Sequence, residues 1–205
     1  MTGDFPAAPD PDPAAVAGHA VLHADARAVL QAWVAPNQRQ ATLRDASLAL
    51  LAARPDATSR SCEPGHVTAS AVLLSADRRQ VLLTLHPRVG RWVQLGGHCE
   101  PTDATIAGAA LREAREESGI TELHNDPGPI HLDVHPITCS LGRPTRHFDI
   151  RFRVLALPAA IPAISDESVD LRFWPVDALP TGSLGVDDGV RAAVRAALAA
   201  PDRSH

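Results

Sequence analysis

Glu113, Glu116 and Glu117 stand at i, i+3 and i+4, with Arg112 directly before the first of them. On a helix, at about 100° per residue, the three carboxylates share one face. Like charges at this spacing repel, and Gly119, placed where a left-handed residue would stop the helix, puts them near the end that disfavours anions. A divalent cation removes both costs. Oxygen ligands with no Cys or His among them suit Mg²⁺ or Mn²⁺ better than Zn²⁺. The competing reading is a solvated acidic face in which Arg112 pairs with Glu116 one turn away.

The glycine pair Gly96-Gly97 favours the first reading. It follows Arg91 to Leu95, whose alternating apolar positions predict a strand, and it lets backbone carbonyls and amides come close to a ligand. Asp103 is expected to cap a helix over residues 104–118. Strand, glycine loop and acidic helix together make a cradle for metal and phosphate.

This stretch resembles the Nudix hydrolase family, whose box runs glycine, five residues, Glu, seven residues, Arg-Glu, an aliphatic, any residue, Glu-Glu, any residue, glycine, aliphatic. Gly97, Arg112, Glu113, Glu116, Glu117, Gly119 and Ile120 fit it. Asp103 stands where the box has its first Glu, eight residues separate it from Arg112, and Ala114 fills the aliphatic position. These departures bear on loop geometry and remove no metal carboxylate. The resemblance extends more weakly over residues 66–180.

It implies a Nudix-type α/β/α sandwich and Mg²⁺- or Mn²⁺-dependent cleavage of a diphosphate bond in a nucleoside diphosphate linked to another moiety. The Gly96 carbonyl, Glu113, Glu116 and Glu117 would hold metal, Gly97 would border the substrate, and Arg112 would orient the carboxylates. Glu167, ahead of Asp166, is the candidate base or further ligand in the segment from Ser165 to Ser168; the alternative there is an exposed turn. Two other activities share the fold: a nucleotide sensor without catalysis, and a prenyl diphosphate isomerase. The second needs a paired Cys and Glu, and Cys99 has no assured partner, reading instead as a small buried residue.

Further polar residues alternate along two predicted strands. His131, Asp133 and His135 share one face and are expected to cover the solvated side of an edge strand. His147, Asp149 and Arg151 share another, and His147 and Asp149 either touch substrate or face solvent. Arg143 and Arg146 in the intervening loop are candidate phosphate ligands. A zinc site built on His131 and His135 finds no third ligand at usable spacing.

The elements that must position these groups read in order. Residues 1–13 hold four prolines and form a mobile leader; residues 14–60 form a helical segment, with helices over 14–34 and 38–53; residues 61–205 form the Nudix-like domain. The helical segment either packs on the main domain or makes a homodimer contact. Strands are predicted over 66–75 and 80–86 as a hairpin, then 131–140, 147–157 and 172–175, with a closing helix over 187–200 capped by Asp187 or Asp188. Helices and strands mix without strict alternation, which predicts an α/β sandwich with a mixed sheet.

The 205 residues carry 19 basic and 24 acidic side chains, a formal charge of −5. Every cation is Arg, there is no Tyr, and aromatics make up 3%. That balance argues against a nucleic-acid polymer as partner. Three cysteines without close pairing, and no apolar run of membrane length, predict a cytoplasmic chain with reduced thiols and no membrane contact.

Overall fold

A computed structural model describes residues 12–138, 144–164 and 168–201. Helix α1 (Pro13–Ala32) begins at a proline whose missing N–H costs nothing in the first turn, with the Asp12 carboxylate accepting from Ala14 N. Helix α2 (Gln38–Ala53) is capped by Asn37, which accepts from Gln40 N. Then come β1 (His66–Leu74), β2 (Gln80–His86), β3 (Arg91–Val93) and β4 (Leu95–His98). Helix α3 (Ile106–Ser118) is followed by β5 (Leu123–Thr138), β6 (Pro144–Ala156), β7 (Asp170–Pro175) and α4 (Asp188–Ala199).

The strands form one mixed seven-stranded sheet. Strand β1 runs parallel to β6 along its whole length and is buried throughout, as a central strand covered on both faces must be. Its other edge is shared. Leu73 and Leu74 pair with β2, while Thr68 to Ala71 pair with β4. β2 therefore leaves β1 part-way along, and the glycine-bearing β4 takes up the freed edge. Gly96 and Gly97 thus lie in a strand and not in the expected loop, because the open ladder of β1 supplies pairing that local propensity does not.

Alternation along β1 sorts the layers. Val67 and Ala69 pack in one apolar cluster with Leu22, Ala26 and Leu30 of α1 and Ile106 and Ala110 of α3. Val72 and Leu74 face α4 through Val190, Val194 and Ala197. The N-terminal helices pack on the main domain: Gln40 exchanges two hydrogen bonds with the Leu132 backbone of β5, and Asp25 accepts from Ile106 N at the start of α3. Two buried arginines of β6 fix α4. Arg153 donates to the carbonyls of Ala200 and Pro201 at its C-terminal end, and Arg151 donates to Gly189 O at the other. Among the described residues no helix is long and apolar enough to cross a membrane. The expected α/β sandwich is the fold observed.

Candidate active site

The acidic helix starts two residues later than expected. Thr105 is the cap of α3, its hydroxyl accepting from Gly108 N at 2.9 Å. Asp103 is occupied elsewhere: its oxygens accept from Arg112 Nε and Nη2 at 2.9 and 3.0 Å, and from Glu100 N at 2.8 Å. Either residue has cap chemistry, and the tertiary partner decides between them. Gly119 closes the helix in the left-handed region, as expected.

Around that helix the carboxylates divide by exposure. The side chain of Glu113 is 13% exposed and that of Glu116 60%, while Glu117 as a residue is 8% exposed. Glu117 Oε1 accepts from Gly96 N at 2.8 Å, tying the helix to β4. A Cβ on Gly97 would sit 2.6 Å from Glu113 Oε1, so the missing side chain is the space this carboxylate fills. At Gly96, φ is +145° and a Cβ would lie 2.5 Å from the Ser70 backbone, so that position is closed to other residues too. Arg112 gathers the group. Beyond its fork on Asp103 it donates to Glu113 at 3.1 Å, Glu116 at 3.0 Å and the His98 carbonyl at 2.9 Å. The Asp103 hydrogen bonds, assisted by the charge of Glu113, raise its already high pKa further.

Beside Gly96, Gly97 and Glu117 opens a cleft of about 290 Å³, also lined by Gln94, Asp133, His135, His147, Asp149 and Asp187. Its floor follows from strand register. On adjacent strands Asp133 pairs with Asp149 and His135 with His147, while Thr68 of β1 lies against Asp149. The set His131, Asp133, His135 therefore does not cover a solvated edge. Asp133 and His135 line the cleft and His131 is buried beside it, because α4 and the loop before it cover this face of β5. Arg151, 3% exposed, bridges the two acids, donating to Asp149 at 2.7 Å and Asp133 at 3.0 Å.

Asp149 also accepts from Thr68 and Ser70 hydroxyls at 3.0 and 2.7 Å, which makes it a buried strut with little freedom to act as a base. The His135 hydrogen bond, with Arg151 nearby, holds Asp133 down to about 2, and the same bond raises His135. Burial lowers His131 to about 4, His98 to about 4 and His147 to about 3. Strand pairing separates the two histidines of the hypothetical zinc site, His131 lying opposite Arg151 and His135 opposite His147.

Of the other candidates, Arg146 is exposed on β6 and does not line the cleft. Arg143, Asp166 and Glu167 lie outside the described residues. Cys99 is 4% exposed, its thiol is directed at the Val67 carbonyl, and burial pushes it up to about 12, so it is the small buried residue expected and not a reactive thiolate. Sequence reading places Arg151 on the same strand face as His147 and Asp149 but offers no sign that Gln94, Ser70 and Asp187 line the cleft. Matching alternation in residues 131–135 and 147–151 was the one signal that could have placed Arg151.

Comparison with known proteins agrees with this geometry. A family model described as NUDIX domain matches residues 64–194. Among solved structures, a NUDIX-family hydrolase from Clostridium perfringens is 21% identical with a TM-score of 0.52, covering 64% of this chain and 95% of its own. A MutT NUDIX hydrolase from Burkholderia pseudomallei is 20% identical with a TM-score of 0.45, over 65% and 98%. The E. coli dihydroneopterin triphosphate pyrophosphohydrolase is 20% identical with a TM-score of 0.47, over 63% and 92%. At such identities the likeness is one of fold. No curated protein matches the chain. With the matched domain spanning more than half the sequence and the box residues gathered as described, the chain belongs to the Nudix family.

Proposed function

We propose that this enzyme cleaves the diphosphate bond of a nucleoside diphosphate linked to another moiety, with Mg²⁺ or Mn²⁺ as cofactor. One observation carries the reading: Glu113 presses its carboxylate into the space a side chain at Gly97 would take, while Glu117 reaches Gly96 on the same strand. That donor set is all oxygen and fits a hard cation. Glu113, Glu116, Glu117 and the Gly96 carbonyl are the groups that would hold it. When bound, the cation would neutralise phosphate charge and lower the pKa of the attacking water.

The chain's own residues then have separable tasks. Arg112 is a positioning residue, since it ties Glu113 and Glu116 to Asp103 and His98. Gly97 and His147 border the substrate. Asp149 holds the cleft floor through Thr68, Ser70 and Arg151. Gln94 Oε1 is buried with no hydrogen-bond partner among the described residues and would accept from a substrate hydroxyl or amino group. Glu167 remains the candidate base by resemblance, and Arg143 a candidate phosphate ligand by its guanidinium chemistry and its place in the loop expected between residues 140 and 147.

The test is a panel of nucleotide sugars, dinucleoside polyphosphates and free nucleoside di- and triphosphates, incubated with Mg²⁺ or Mn²⁺ and read by product mass. Metal-dependent cleavage between phosphates of at least one linked nucleoside diphosphate is expected. Tight binding without turnover across the panel would instead support the sensor reading and sink this one.

A further inference from the structure

Three histidines from three strands meet at the end of the sheet, beside the carboxylate centre. His66 opens β1, His147 is its register partner on β6, and His98 ends β4, where it pairs with Thr68. Their rings lie 5.0 to 5.2 Å apart in all pairings, and one ligand-capable atom from each falls within 4.8 Å of the others. The site has the character of a built one. His66 is 1% exposed; its Nδ1 donates to the Cys62 carbonyl at 3.4 Å, which leaves the lone pair on Nε2. That Nε2 is buried and has no hydrogen-bond partner among the described residues, and the same is true of His147 Nε2. Orphaned imidazole nitrogens, with a ring oriented from behind by a carbonyl, are what a metal-ligating histidine looks like before the ion arrives.

We propose that His66, His98 and His147 bind one imidazole-preferring divalent ion of the Zn²⁺ class, at a site separate from the hard-cation site on α3. Nitrogen ligands to tetrahedral Zn²⁺ sit about 3.3 Å apart, so the three atoms need to close by at most about 1.5 Å, within reach of small side-chain rotations. Burial favours the neutral rings that metal binding requires. Three protein ligands leave a position for water. The ion would clamp β4 to β1 and β6, and so hold the glycine strand on which Glu113 and Glu117 rest. It would also engage His147, which lines the cleft.

The test uses the full chain stripped with chelator and then dialysed against Zn²⁺ under a large excess of Mg²⁺, with bound zinc measured by elemental analysis. Retention of one Zn²⁺ per chain is expected. Affinity should fall about a hundredfold or more in His66→Gln, His98→Gln and His147→Gln, and stay unchanged in Glu113→Gln and Glu117→Gln. Because the buried His66→Gln could misfold, Co²⁺ added to the wild-type chain supplies a second measurement: intense visible bands of four-coordinate, nitrogen-ligated Co²⁺ are expected. Zinc retention unaffected by the histidine changes, zinc loss that follows the glutamate changes, or Co²⁺ spectra of an octahedral ion only would each overturn the proposal. None of these outcomes bears on diphosphate hydrolysis, which the product assay tests separately.

Discussion

Glu117→Gln separates metal binding from structure, and its consequences follow from three contacts. The substituted amide keeps an oxygen that accepts from Gly96 N, now at 2.8 Å from the carboxylate, so the bridge from α3 to β4 survives in weaker form. Exchanging a charged for a neutral acceptor costs about 1 kcal/mol. Removing an anion from the C-terminal end of α3, one turn from Glu113, returns about 0.3–1 kcal/mol. The metal-free proteins should therefore differ by less than about 1 kcal/mol. With metal the difference opens. At a concentration a hundred times its dissociation constant, Mg²⁺ or Mn²⁺ stabilises the wild type by about 2.7 kcal/mol, or roughly 5–11 °C in Tm for a domain this size. If losing the Glu117 charge weakens affinity a hundredfold, the same metal concentration yields only about 0.4 kcal/mol, near 1 °C. Thermal melts across a metal titration, beside a turnover assay expected to fall by orders of magnitude, provide the readout. Equal metal-induced shifts in the two proteins would refute Glu117 as a ligand, whatever the activity.

Arg112→Lys keeps the charge but loses the fork on Asp103 and the reach to His98 O; it should cost about 2–4 kcal/mol in urea denaturation, and a loss under 0.5 would show that the fork is incidental. A chain beginning at Glu63 lacks no box residue, yet it uncovers Ile106 and Ala110 and removes the Asp25 contact to Ile106 N. It should lose cooperative melting, and a cooperative fold with wild-type turnover would show the helical segment to be dispensable. In the metal-free chain His131, His98 and His147 have folded-state pKa values near 4, 4 and 3, below the ordinary 6.5, so the unfolded chain takes up protons first. Stability should fall as pH drops from 6.5 towards 4, by at most about 1.4 kcal/mol per pH unit for each histidine. His135 works the other way, its raised pKa adding stability that is lost as pH rises through it. A flat stability profile between pH 7 and 4 would contradict the buried neutral rings.

Much of this fold was legible because its elements announce themselves locally. The apolar spacing of α2 and α4, the β1–β2 hairpin and the Gly119 stop are set within a few residues, and they came out where the sequence predicts them. What failed was decided by distant partners. Nothing in Gly96 to His98 favours a strand; the ladder left open by β2 imposes it. The capping chemistry of Asp103 is genuine but is spent on Arg112. Whether residues 131–135 face water or a cleft depends on α4, which is placed by Arg151 and Arg153 of another strand. The convergence of His66, His98 and His147 needs two pairings at once, β1 with β6 and β1 with β4, and no spacing in the chain records it.

The eight-residue interval between Asp103 and Arg112, one longer than the family box, has a physical resolution in these contacts. Helix α3 begins at Ile106, so the extra residue lies in the turn and not in the helix, and the register of Arg112, Glu113, Glu116 and Glu117 is undisturbed. Asp103, 5% exposed at its side chain, still reaches the guanidinium with both oxygens. One guanidinium facing Asp103, Glu113 and Glu116 cannot neutralise them, and Glu117 adds a further buried carboxylate against Gly96. Arg112 is thus enough to hold the carboxylates in place and too little to cancel their charge. Under the proposed function, a cation bridging protein and phosphate would meet these carboxylates at the glycine strand and offset a repulsion that a plain solvated face would leave in place.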